Sequence, residues 1–136
     1  MSTMSSIFDE VKKLNFPSDQ YAVIGGGVMS AHGIRNYGDI DLIVIRDLFE
    51  KLKTQGWTPV QGKNNVLKNG NYEVDVDYKY QEYQPDHEEL IRNAEVIDGV
   101  PFIRLNELIK FKKALGRDKD KKDVELIEQY LIKHKI

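Results

Sequence analysis

Asp39 and Asp41 stand two residues apart in the stretch 21–45, YAVIGGGVMSAHGIRNYGDIDLIVI. On a strand, that spacing sends both carboxylates out of one face, with Ile40, Leu42 and Val44 as the opposite, apolar set. Aspartate is depleted in strands, and two like charges held side by side repel each other. The pair therefore asks for a positive partner, and a divalent metal is the leading candidate. A second set of carboxylates, Glu73, Asp75 and Asp77, alternates with Tyr72, Val74, Val76 and Tyr78. If both strands share a sheet whose apolar faces point the same way, these carboxylates gather on the other face. Three converging carboxylates suit a pair of Mg2+ ions. Asp75, between Val74 and Val76 at the centre of its strand, is the preferred third ligand, with Asp77 second. A solvated strand edge explains either pattern in most proteins; their combination is what carries weight.

The elements that must hold these groups are legible around them. An apolar run (Ala22, Val23, Ile24) ends in Gly25-Gly26-Gly27, where backbone can approach a ligand closely. A short helix follows, stopped by Gly33, with Arg35 just beyond it and the Asp39-Ile40-Asp41 strand after that. Before this stretch, Ser6 and Asp9 predict a capped helix with Ile7, Val11 and Leu14 inward, ended by Phe16-Pro17. After it, residues 47–55 predict a helix with Leu48, Phe49 and Leu52 buried and Gly56 as its stop, and Trp57 as core. Asn69-Gly70 predicts a type I′ hairpin turn into a strand over 72–78. Asp86 and Glu89 frame the next helix, with His87 as a surface residue, and Asp98-Gly99 turns a second hairpin. Asn106 is the expected cap of a helix ending at Gly116, and a last helix follows 120–123 with Val124, Ile127 and Leu131 inward.

The central stretch resembles the nucleotidyltransferases of the DNA polymerase β-like superfamily, in particular the small minimal and antibiotic-modifying types. Their pattern is a glycine pair after the first strand, then an hG and an Arg, then D-h-D on the next strand. Here Gly25-Gly26, His32-Gly33, Arg35 and Asp39-Ile40-Asp41-Leu42 occupy those places. Where members more often carry a Gly-Ser pair, Gly26-Gly27 offers no hydroxyl, so backbone N–H groups would meet the phosphates. Farther along, Lys112, Arg117, Lys119, Asp120 and Asp123 are similar to the K-x4-R-x-K-D-x-x-D element of small members. Together the likeness runs over roughly residues 21–131. It implies an α/β (α+β) fold, a short mixed sheet with helices on one face and a carboxylate-lined active face. It also implies two Mg2+ ions, with Mn2+ as an alternative, held by Asp39, Asp41 and Asp75, with Asp77 in reserve. Gly25, Gly26, Arg35, Lys112, Arg117 and Lys119 would bind the nucleotide, while Asp120 and Asp123 hold the loop through ion pairs and capping.

At 136 residues the chain is expected to form a single domain, residues 1–136, with C-terminal helices over 106–135 packed on the sheet. A net charge of −2 argues against a dedicated polyanion binder, so RNA is the weaker partner. The expected partners are an NTP and a hydroxyl acceptor, either an antibiotic-like small molecule or a protein side chain. A homodimer is compatible with this reading. With no cysteine there is no disulfide or thiolate site, which fits a cytoplasmic protein. No apolar run approaches the roughly 20 residues of a spanning helix, so no membrane partner is expected. The expected activity is transfer of NMP from an NTP to a hydroxyl. The competing readings are a catalytically silent nucleotide-binding or toxin–antitoxin module and a two-metal nuclease.

Overall fold

The computed structural model describes residues 6–63 and 65–134; the ends of the expected 1–136 domain and residue 135 of the last expected helix lie outside them. In chain order the elements are α1 (Ile7–Lys12), β1 (Tyr21–Ile24), α2 (Gly26–Ala31), β2 (Ile40–Val44), α3 (Arg46–Thr54), β3 (Thr58–Pro59) and β4 (Val66–Asn69). They continue with β5 (Tyr72–Asp75), α4 (His87–Arg92), β6 (Glu95–Ile97), β7 (Val100–Phe102), α5 (Leu105–Leu115) and α6 (Asp118–Lys133). Among the described residues the strands form one mixed seven-stranded sheet, ordered β3-β4-β5-β2-β1-β7-β6. The β1–β7 and β2–β5 pairs are parallel and the other pairs antiparallel. This is the mixed α/β architecture expected from the sequence.

Register decides what each face carries. Val23 pairs with Leu42 and Phe102, and Leu42 with Val74, so these apolar residues share one face. Helices α1 and α2 close it. Phe8 meets Phe102 edge-on at 5.6 Å, and a Cβ on Gly27 would sit 2.7 Å from Val23 Cγ1 and 3.1 Å from Ile7 Cδ1. The third glycine of the triplet is thus there for helix–strand packing. Phe16, Tyr21, Trp57 and Tyr72 extend this face as a chain of ring contacts.

The opposite face carries Asp41 beside Glu73, and Asp75 beside Ile43. It is not open throughout, since Ile43 and Ala22 are fully buried on it. Leu108 and Phe111 of α5 stand near Ile24 and Asp41 on this side, and Ile91 and Ala94 lie by Ile45 and Pro101. Helices therefore cover part of the second face as well as the apolar one, and Asp41 and Glu73 on it are left half-buried. Among the described residues no helix is long and apolar enough to cross a membrane.

Several boundaries differ from the sequence-based expectation for local reasons. Strand β5 ends at Asp75 instead of running to Tyr78, because Asp75 Oδ1 accepts the Asp77 N–H at 2.7 Å and turns the chain out of the ladder. Strand β2 begins at Ile40, leaving Asp39 exposed at its entrance. The first hairpin centres on Gly70-Asn71, with Asn69 paired to Tyr72 and Gly70 at φ 62°, the II′ arrangement with Gly first. The second hairpin turns at Asp98-Gly99 as expected. Helix α5 starts before Asn106, because Leu105 is drawn into the core and the Arg104 carbonyl takes the Glu107 and Leu108 N–H groups. Val124 and Ile127 of α6 are buried as expected, whereas Leu131 is exposed near the helix end.

Candidate active site

Strand β1 delivers the chain into Gly25, the N-cap of α2, at φ 65° and ψ −143°. A side chain there would be strained and would press on Asp41, whose Oδ2 lies 3.4 Å from the position of a Cβ. At Gly26 a Cβ would come within 3.2 Å of Arg35 Nη1. The two glycines thus keep backbone, a carboxylate and a guanidinium side by side. Around them is a cleft of about 230 Å3 that brings together Gly25, Gly26, Arg35, Asp41, Lys112, Arg117 and Lys119, all singled out in the sequence. Asp39, Asp75 and Asp77 stand outside this cleft lining.

The acidic end is under electrostatic stress. Burial, then the neighbouring Glu73 and Asp39 and more weakly Asp75, push Asp41 up to about 6, against a smaller opposing pull from Lys63. Asp41 has no hydrogen bond or ion pair among the described residues. Burial also raises Asp75, partly offset by the bond from the Asp77 N–H. Asp77 turns away toward Asn65, 3.4 Å from Asn65 Nδ2, and toward Lys79 at 3.5 Å.

These are hard oxygen donors, the type Mg2+ takes. Among the described residues, though, no three acidic or histidine side chains converge closely enough to hold a metal alone. Mg2+ usually binds through one or two carboxylates plus substrate phosphates and water. The donor set fits an ion that arrives with a nucleotide and does not fit a caged resident ion.

The cationic end is built in the opposite way. Asp123 accepts from Arg35 Nε at 3.0 Å and Nη2 at 2.9 Å, and from Lys112 Nζ at 2.8 Å. Asp120, 1% exposed, takes the Arg117 guanidinium at 2.6 Å and the Arg117 N–H at 3.2 Å, closing a capping box on α6. Lys112 Nζ is also 3.9 Å from Asp120 Oδ1. Burial pushes both carboxyls up, but the hydrogen bonds from Arg117 to Asp120, and from Arg35 and Lys112 to Asp123, outweigh it and hold both below the usual range. Three cations face two carboxylates here, so the cluster keeps a net positive charge, and Lys119 at the same cleft has no ion-pair partner among the described residues.

Three placements could not be read from the sequence. Glu73 is the register partner of Asp41, and only strand pairing reveals it. His87, expected at the surface, is half-buried and accepts the Tyr78 N–H on Nε2, with its pKa lowered by burial against the upward pull of Asp75, Asp77 and Asp86. Helix α4 must pack Leu90 and Ile91, and that turns its first residue inward. Tyr78, read as one more apolar strand position, lines the cleft itself.

No protein-family model matches the chain, and no curated protein matches it. Among solved structures it is similar to a crystal structure of ANT(2″)-Ia in complex with adenylyl-2″-tobramycin, at 17% identity and a TM-score of 0.49. That likeness covers 94% of this chain and 85% of the other.

Proposed function

We propose that this chain acts as a single-domain, Mg2+-dependent nucleotidyltransferase that moves NMP from an NTP to a hydroxyl of a small molecule or protein. The observation that carries the reading is one cleft with a half-buried carboxylate, without an ion-pair partner among the described residues, at one end and a net positive cluster at the other. A nucleotide triphosphate matches that polarity, with its charge facing Lys119 and the Arg35–Lys112–Arg117 cluster. Mg2+ brought by the nucleotide would be held by Asp41 with Asp39 and Asp75, and would supply charge neutralisation and activation of the acceptor oxygen. Gly25 and Gly26 let backbone approach the phosphates without side-chain interference. The acceptor oxygen bonds to the α-phosphorus, the bond to the bridging oxygen breaks, and pyrophosphate leaves with that electron pair. Asp75, raised by burial, takes the acceptor's proton.

Calorimetry with Mg·ATP and Mg·GTP tests this reading. The parent should bind at least one of them in a Mg2+-dependent manner, and Asp41→Asn should lose that dependence while staying folded. If Asp41→Asn binds as the parent does, the reading fails. The engagement of both Arg35 and Lys112 by Asp123 favours a second reading, a nucleotide-binding module without turnover. Pyrophosphate release across a panel of hydroxyl acceptors separates the two.

A further inference from the structure

The cleft around Gly25 and Asp41 encloses about 230 Å3, less than the roughly 300–1,000 Å3 that surrounds a drug-sized ligand. A nucleoside triphosphate therefore enters only in part, and charge decides which part. Arg35, Lys112, Arg117 and Lys119 outnumber Asp120 and Asp123 there, an excess of positive charge that suits the phosphates. The nucleoside is left at the mouth of the cleft.

Base edges are told apart by paired donors and acceptors, such as a guanidinium fork on guanine or a side-chain amide on adenine. Among the described residues no Asn, Gln, Ser or Thr lines the cleft. Its guanidinium forks are already engaged. Arg35 donates from Nε and Nη2 to Asp123 and from Nη1 to the Asn36 carbonyl, and Arg117 donates from Nε and Nη2 to Asp120. With the Lys112 ammonium and the Arg117 N–H, these bonds also occupy Asp120 and Asp123 as acceptors. The Tyr78 hydroxyl oxygen is buried out of reach of the cleft. Lys119 is exposed and has no ion-pair partner among the described residues, but an ammonium is a point charge without the fork that reads a base. Leu108, Phe111 and Leu115 complete the lining with apolar surface, against which every base presents the same kind of face. We propose that the cleft recognises its nucleotide through the triphosphate and is indifferent to the base, so that ATP, GTP, CTP and UTP bind alike. The inference deepens the nucleotidyltransferase reading and rests on it. Inorganic tripolyphosphate, the same chain without a nucleoside, should occupy the same place.

Calorimetric Kd values for Mg·ATP, Mg·GTP, Mg·CTP, Mg·UTP and Mg·tripolyphosphate, on parent and on Lys119→Ala, give the test. The four nucleotides should agree within about threefold, and tripolyphosphate should lie within about tenfold of them, a gap no larger than one hydrogen bond. Lys119→Ala should weaken all five by a common factor, because the charge it removes faces what they share. One nucleotide held more than about tenfold tighter than the other three overturns the proposal, since that is the mark of a base being read. A parent that binds nucleotides but not tripolyphosphate overturns it too, as does a Lys119→Ala loss that differs between the bases. A parent that binds none of the five removes the nucleotidyltransferase reading and this proposal together, whereas selective binding of one nucleotide removes base indifference alone.

Discussion

Asp41 and Asp123 line the same cleft and are the same residue type, yet their surroundings push them in opposite directions. Asp41 sits among carboxylates, without an ion-pair partner among the described residues, and is raised to about 6. Asp123 is clasped by Arg35 and Lys112 and lies below the usual range. Burial acts against ionisation at both, so the difference comes from their charged neighbours. One end of the cleft stores repulsion that an incoming cation relieves, and at the other end both carboxylates are paired with cations that leave a net positive charge. The first is the arrangement of a binding site, the second of a scaffold that aims cations. The contrast extends to Lys112, which the sequence presents as a phosphate ligand. Its ammonium is bonded to Asp123, so on the proposed function it would act on an anionic ligand through the field of the whole cluster.

The largest expected effect lies at the acidic end. On the proposed function, Asp75→Asn should lower turnover by about two to four orders of magnitude, since the proposed proton acceptor and metal ligand would be lost together. Asp77→Asn, whose carboxylate faces Asn65 and Lys79, should stay within about threefold of the parent. Steady-state pyrophosphate release, once an acceptor is found, measures both. Equal losses would mean that the acidic end includes Asp77, and the reverse order would move the role there.

Next in size is the stability of the cationic end. Asp123→Ala leaves the buried Lys112 and the exposed Arg35 without their shared partner, and the uncompensated charge at Lys112 should cost about 3 kcal/mol in urea unfolding. Asp41→Ala removes no side-chain hydrogen bond or ion pair among the described residues and should cost far less. Equal costs would erase the distinction between scaffold and site.

The smallest effect is the most diagnostic, because its sign differs between the two ends. For Asp41 the folded value of about 6 lies above the ordinary 3.8, so the unfolded chain ionises first as pH rises. The fold therefore loses stability between roughly pH 4 and pH 6, and Asp41→Asn should recover about 1–3 kcal/mol above pH 6 and little below pH 4. For Asp120 and Asp123 the folded values are depressed, so their contribution is full above the ordinary carboxylate value and is lost as pH falls below it. Urea midpoints from pH 3 to 8 for parent, Asp41→Asn and Asp123→Asn check both signs. A flat Asp41→Asn difference across pH 4–6 would show that Asp41 is not under repulsion.

Much of the architecture was legible because it depends on short-range pattern. Val23 and Leu42 fall on the apolar face by alternation alone, and Gly116 stops α5 in the left-handed conformation that its residue type favours. The Asp98-Gly99 turn follows from local backbone preference in the same way. The expected strand over 72–78 failed at Asp75 because a side-chain bond to the Asp77 N–H competes with the ladder, and alternation cannot register that competition. His87 was misplaced for a related reason. A polar residue near a helix start reads as exposed until the packing of Leu90 and Ile91 sets the helix's rotation.

The sequence by itself determined the chemistry on offer: a pair of aspartates at the head of a strand, glycines that admit a backbone, and cations spaced along the last two helices. Tertiary structure decided the pairing. It set Glu73 beside Asp41, brought Asp123 across 88 residues to Arg35, and buried the Tyr78 hydroxyl without a partner among the described residues. The physical reason is range. Propensity and periodicity act over a few residues, whereas strand register and ion-pair choice are settled by which distant surfaces bury together, and the chain does not state that locally.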